Sequence, residues 1–345
     1  MKKTLIYDFS GEGYAREPVI RRLKNGTLVC SFLTGGTGEP QNANVVKLSV
    51  SRDDGETWSR PETAVCHSER GCWATEIFTE TERPFMVVHT YNTNDYRRES
   101  YRELQTFRQY LSEGGKTLGE PVSFAGGLNG VSIRQGIKMS DGEWLFPVYW
   151  QEVVYDFDWA RNTIKEHAGE ERYPFRCGVA VSADEGKTFS RFGYLVAPKS
   201  VWEPNCIELE RGHILMLMRS NHEDFLRRSD SFDFGRTWTP TEVSDIENAH
   251  TKPTLFKIGN TVFLANNFVR AQGRQNRTHL QIRSSMDGRH WRTVCKPEPD
   301  EANFFYPHAC VSEENRTVYL AYEDGIRHYL MRIGFDELLE REEGK

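Results

Sequence analysis

Short runs in which apolar and polar residues alternate, each closed by a polar turn, recur along the whole chain. A period of two marks β-strands with one buried face. The first unit shows the grammar: strands at 18–23 and 27–33 flank the turn Lys24-Asn25-Gly26, and a third strand runs over 45–51. Later units begin near Trp73, Ile133, Glu203, Lys252 and Tyr306, and their second strands are expected at 86–89, 144–149, 214–218, 262–265 and 318–322. The last unit takes its third strand from 329–333 and its fourth from 5–9, so both ends of the chain close a ring and no sheet edge stays open. Helical periodicity is scarce. Two polar, charged stretches, 93–104 and 156–171, read as short helices or long loops overhanging one face. The expected architecture is all-β: a six-bladed β-propeller of four-stranded antiparallel blades, with residues 1–345 as one domain.

A repeated octapeptide sets the phase of these units. The pattern Ser-x-Asp-x-Gly-x-Thr-aromatic occurs at 51–58, 182–189 and 231–238. Two weaker copies fit the same frame: 111–118, with Glu113, Gly115 and Thr117, and 284–291, where Met286 takes the place of the aspartate. Ser and Asp side chains accept backbone N–H bonds in a tight turn, and glycine supplies a backbone conformation costly for other residues. The alternating ligands and terminal glutamate of a calcium loop are missing, so the motif reads as structural.

Composition narrows the function classes. Hydrophobic residues make up 38%, aromatics 12% and charged residues 27%, the balance of a globular protein rather than a disordered one. The net charge of -6 is spread over interleaved acids and bases, without the basic stripe that nucleic-acid binding requires. Only a three-residue apolar run precedes Asp8, and no stretch approaches the ~18 consecutive apolar residues of a membrane span; the expected location is cytoplasmic, with no membrane partner. Seven scattered cysteines without a CxxC pair point to reduced thiols, and the absence of HExxH or similar spacing leaves no metal or cofactor to expect.

In an antiparallel blade the start of the inner strand and the end of its partner share one edge, so these positions from six blades face one mouth. They supply Arg16, Glu17, Trp73, Gln135, Glu203, Asn205, His250, Lys252, Tyr306 and His308 from the inner strands, and His89, Tyr149, Gln151 and Arg219 from their partners. Polar and aromatic types of this kind suit a carbohydrate partner. Three histidines, His89, His250 and His308, suggest acid–base or sugar contacts.

On these residues the chain resembles the sialidase superfamily. Arg16-Glu17-Pro18, with the following turn, is similar to that family's Arg-x-Pro strand; 202–209 leading to Arg219 is similar to the blade carrying its supporting glutamate and second arginine. Arg277 resembles the third arginine, and Tyr306 sits where the family places a tyrosine nucleophile. The resemblance implies an exo-acting glycoside hydrolase on a terminal acidic sugar, with Tyr306 and Glu203 as nucleophile and base and Arg16, Arg219 and Arg277 holding the sugar carboxylate. Where the family carries an acid–base aspartate, the 34–42 loop offers Glu39. Glu17 stands where an isoleucine is usual, and as a neighbour of Arg16 it is expected to neutralise part of the arginine clamp. Gln135, Tyr149, Gln151, Asn205, His89, His250 and His308 complete the expected substrate contacts. A propeller lyase or inverting hydrolase for uronate-containing glycans, with His89, His250 or Tyr149 moving the proton, and a non-catalytic carbohydrate-binding propeller remain as alternatives.

Overall fold

A computed structural model describes residues 1–92, 103–124, 128–152, 157–158, 160–164, 174–220, 222–268 and 277–339. Six antiparallel sheets form the blades. Their inner strands are Ala15–Arg22, Gly71–Phe78, Ser132–Ile133 continued by Ile137–Lys138, Val201–Glu210, Thr254–Ile258 and Phe305–Ser312. The N-terminal strand Lys2–Asp8 pairs with Arg327–Gly334 as the outermost strand of the sixth blade, which closes the ring as the strand pattern predicts. Of the two polar insertions, 93–102 and most of 156–171 lie outside the described residues; within the second, Phe157–Asp158 pairs with Thr163–Ile164 in a short hairpin.

Only the third blade departs from four continuous strands. Its central strand Trp144–Gln151 contains Pro147, whose missing N–H removes one rung of the ladder. Arg134 N–H still reaches the Pro147 carbonyl at 2.8 Å, but no reciprocal bond can form, and the inner strand breaks there.

The core consists of apolar wedges between neighbouring blades. Val19, Val29, Cys72, Ile77 and Met86 fill the first, and Phe78, Phe85, Trp144 and Phe146 the second, with Phe78 4.8 Å from Trp144 ring to ring. No blade hides its faces alone, so the ring stands or falls as a unit. None of the seven cysteines forms a disulfide, and all but Cys66 are buried.

The complete octapeptides fold alike. Ser51 Oγ donates to Asp53 at 2.8 Å and accepts the Gly55 N–H at 2.9 Å, while Asp53 accepts the Thr57 N–H at 2.9 Å; the same bonds recur around Asp184 and Asp233. Gly55 has φ +83°, and a Cβ there would lie 2.3 Å from Leu330 Cδ2 of the sixth blade. Chirality and packing therefore both demand glycine. Gly55→Ala is expected to cost about 1–3 kcal/mol, read as a lower urea midpoint, with exposed Arg52→Ala as the neutral control.

The two weaker copies differ from the expected register. In the fifth, Ser285 rather than Ser284 supplies the hydroxyl and Asp287 the carboxylate, and Gly288 follows directly, one residue earlier than in the complete copies. His290 takes the threonine's place, its Nδ1 2.6 Å from Asp287, and Met286 is an exposed spacer. In the second copy Ser112 Oγ accepts the Lys116 N–H at 3.1 Å, while Thr117 already belongs to the outer strand.

Candidate active site

Three inner strands use one backbone device to turn a side chain toward the axis. Register slips lie between Arg16 and Val19, Trp202 and Asn205, and Phe305 and His308. Inside them Glu17, Glu203 and Tyr306 adopt left-handed φ angles of +54°, +46° and +52°, and each precedes a proline. A β-bulge leaves a residue without ladder partners, which admits proline and re-aims the neighbouring side chain. Such conformations cost roughly 1–3 kcal/mol for an L-residue and concentrate at functional sites. The X-Pro pair at the start of three inner strands is a sequence signal that singles out these side chains together.

All three line a cavity of about 290 Å³ whose walls also include Leu33, Glu39, Trp73, Tyr91, Leu104 and Tyr149. Arg219 Nη1 lies 2.5 Å from Glu203 and 3.4 Å from the Tyr306 hydroxyl, joining the two. The Arg277 guanidinium sits 4.8 Å from the Tyr306 ring centre and 5.2 Å from that of Phe305. Arg16 also faces Phe305, at 5.1 Å, and pairs with buried Glu323 at 2.9 Å. The three arginines, Tyr306, Glu203, Glu39 and Tyr149 thus gather at one end of the ring.

Glu17 does not neutralise Arg16, contrary to the expectation from their adjacency. Its left-handed backbone sends the carboxylate inward, where it meets Arg134, Lys252 Nζ at 3.2 Å and Trp73 Nε1 at 2.8 Å. Arg134 escaped the sequence reading because strand alternation gives no warning that the third blade breaks at that residue.

The charges respond to this enclosure. Burial alone would raise the Glu17 pKa, but the Arg134 and Lys252 charges and the hydrogen bonds from Arg134 and Trp73 outweigh it and hold it at about 2. Burial lowers the Lys252 pKa against the pull of Glu17. The Tyr306 phenol is pushed up by burial and then by the Glu203 charge, with Arg219 and Arg277 opposing. Glu39 keeps contact with solvent at the mouth, yet desolvation there, with Glu17 and Glu203 nearby, raises its carboxyl above the usual range against a hydrogen bond from Tyr14.

Glu323 is raised to about 7, burial exceeding the help of Arg16 and of the Glu17 N–H at 2.8 Å. For a carboxyl raised on folding, the native state binds the proton more tightly. This contribution to stability is complete below the unfolded value near 4.5 and is lost as pH rises through about 7. Wild type is expected to lose about 3 kcal/mol from this group across that window. Glu323→Gln should flatten that part of a urea-midpoint-against-pH curve.

Other expected contacts lie away from the cavity wall. His89 is fully buried, held by Thr106 at 3.0 Å, Thr75 at 3.3 Å and the Ile133 N–H at 3.2 Å; burial lowers its pKa to about 3, so it is a neutral interior bridge. His308 is buried against Arg21 and accepts the Ile20 N–H at 3.3 Å. Gln135 and Asn205 bond to each other at 3.3 Å, and Asn205 accepts the Leu255 N–H, tying three blades together. Gln135 also borders a second cavity, of about 490 Å³, at the far ends of the inner strands. His250 is buried with Nε2 3.2 Å from Asp224, and Gln151 ends its strand opposite Phe175. The strand pattern identified an edge, but many of its side chains point sideways between blades.

The BNR repeat-like domain model matches residues 18–320. The chain belongs to that family. This BNR propeller is 24% identical over 320 residues to a sialidase of Bacteroides fragilis, an alignment covering 82% of the chain and 54% of that relative, so the chain spans about half the relative's length. Among solved structures it is similar to the Hadza microbial sialidase Hz136, with TM-score 0.76 and 16% identity over 98% of this chain and 69% of that one. It is also similar to Trypanosoma rangeli sialidase in complex with the inhibitor DANA, with TM-score 0.66 and 16% identity over 96% of this chain and 56% of that one. At these identities the structures establish the propeller, and the residues of the cavity must carry the chemistry.

Proposed function

We propose that the chain is an exo-acting glycoside hydrolase releasing a terminal acidic sugar of the sialic-acid type. The observation that carries this reading is Arg219 bridging Glu203 and the Tyr306 hydroxyl inside a small cavity. Arg16, Arg219 and Arg277 hold the sugar carboxylate by charge-assisted bonds. That carboxylate sits beside the reacting carbon and would repel a carboxylate nucleophile, which favours a neutral phenol. Glu203 takes the phenolic proton as the Tyr306 oxygen attacks the anomeric carbon. Glu39, whose carboxyl desolvation raises above the usual range, gives a proton to the departing glycosidic oxygen. In the second step Glu39 takes a proton from water, the water oxygen displaces Tyr306 from the sugar, and Glu203 returns the proton to the phenolate. The fold shared with Trypanosoma rangeli sialidase, solved with the inhibitor DANA and with a difluoro-nononic acid, supports a carbohydrate substrate.

A panel of aryl glycosides and oligosaccharides ending in acidic sugars tests the proposal. Release of the free terminal sugar acid supports it. Products absorbing in the ultraviolet as unsaturated uronates would replace it with a lyase, in which Tyr149 on the cavity wall is the available proton carrier. Binding without any product would leave a carbohydrate-binding propeller.

A further inference from the structure

We infer that Glu17 is a specificity-determining residue on the cavity wall that accepts a hydrogen bond from a hydroxyl of the bound sugar, with Arg134 and Lys252 as its positioning residues. This rests on the proposed reading only in taking the cavity to hold a sugar. Glu17 is presented by the same bulged, pre-proline, left-handed backbone as Glu203 and Tyr306, and it lines the same cavity. Its partners come from three other parts of the ring. Among the described residues Oε1 receives Arg134 Nη2 and Lys252 Nζ, and Oε2 receives only Trp73 Nε1. A carboxylate offers about four acceptor positions, so three protein donors leave one for a ligand.

A purely structural role does not call for this arrangement. Replacing a buried ionic cluster with packed apolar groups is often neutral or stabilising, so a carboxylate on the cavity wall backed by two buried cations suits recognition better than support. The network is also not closed on itself, because buried Arg134 Nη1 has no acceptor among the described residues. A fixed carboxylate with an open acceptor position matches a hydroxyl, repels a second carboxylate, and is left unmet by a deoxy carbon. Sites built to bond a hydroxyl discriminate strongly against analogues lacking it.

The test is calorimetric titration of wild type, Glu17→Gln and the charge-balanced double variant E17L/R134L. The probes are N-acetylneuraminic acid, analogues each lacking one hydroxyl, and the neutral sugars galactose and glucose. In wild type, loss of one particular hydroxyl is expected to weaken binding about tenfold or more. In E17L/R134L the same deletion should change binding less than twofold, with E17Q between them; if the double variant does not fold, E17Q decides. An unchanged ratio between full and deoxy sugar in the variants overturns the inference while leaving the proposed function standing. Binding of galactose or glucose but not of N-acetylneuraminic acid, weakened about tenfold in Glu17→Gln, supports the inference and removes the acidic-sugar reading. Failure of every probe to bind wild type rejects both.

Discussion

Tyr306→Phe is expected to lower kcat by about 10³-fold or more while KM stays within a few-fold of wild type. The substitution removes one oxygen. The ring that remains still fills its buried place beneath Arg277 at 4.8 Å and beside Lys252 at 5.8 Å, so substrate meets nearly the same wall. The hydroxyl 3.4 Å from Arg219 is lost, and with it the atom proposed to bond the sugar. Because burial and Glu203 raise the phenol pKa, Tyr306 is protonated near neutrality and needs a base. Glu203→Gln should therefore also depress kcat. A Tyr306→Phe enzyme that keeps kcat within tenfold, with an unchanged near-ultraviolet dichroism spectrum, would remove Tyr306 as nucleophile.

Arg219→Ala should damage both fold and chemistry. Arg219 and Glu203 are largely buried and in contact at 2.5 Å, and truncating the arginine leaves the carboxylate without that partner. The expected loss is about 3 kcal/mol of stability and at least about a hundredfold in kcat/KM, since the same guanidinium faces the Tyr306 hydroxyl and the proposed sugar carboxylate. The double variant R219A/E203Q separates the two effects. Removing the stranded charge should make it more stable in urea than R219A alone, because contacting residues are not additive, while turnover stays lost. Equal stability of R219A and wild type would show that the pair contributes nothing to the fold.

The individual residues explain why some of the site was legible and some was not. Arg219 and Glu203 lie at a strand end and a strand start of one blade, so local pairing brings them together: Trp202 is opposite Arg219 in the ladder. Their proximity follows from the hairpin. His89 and His308 occupy equivalent edge positions, yet both are fully enclosed, because an inner-strand neighbourhood has a side facing the next blade as well as one facing the mouth. Glu17 was legible as an anomaly beside Arg16, but its partners Arg134 and Lys252 are 117 and 235 residues away along the chain. Nothing in a linear pattern links those three.

The sequence by itself determined the period-two strands, the six units, the closure by both termini and the turns of the complete octapeptides. These depend on contacts between residues close in the chain, or on a repeat that states its own phase. Only the tertiary structure decided which edge residues enter the cavity, that Arg16 turns to Glu323 and Glu17 to the Arg134–Lys252 pair, and that the fifth octapeptide is one residue short. A bulge or a left-handed φ changes where a side chain points without changing the alternation around it. Side-chain direction at the axis is settled where six blades meet, by charges and packing contributed from distant parts of the chain.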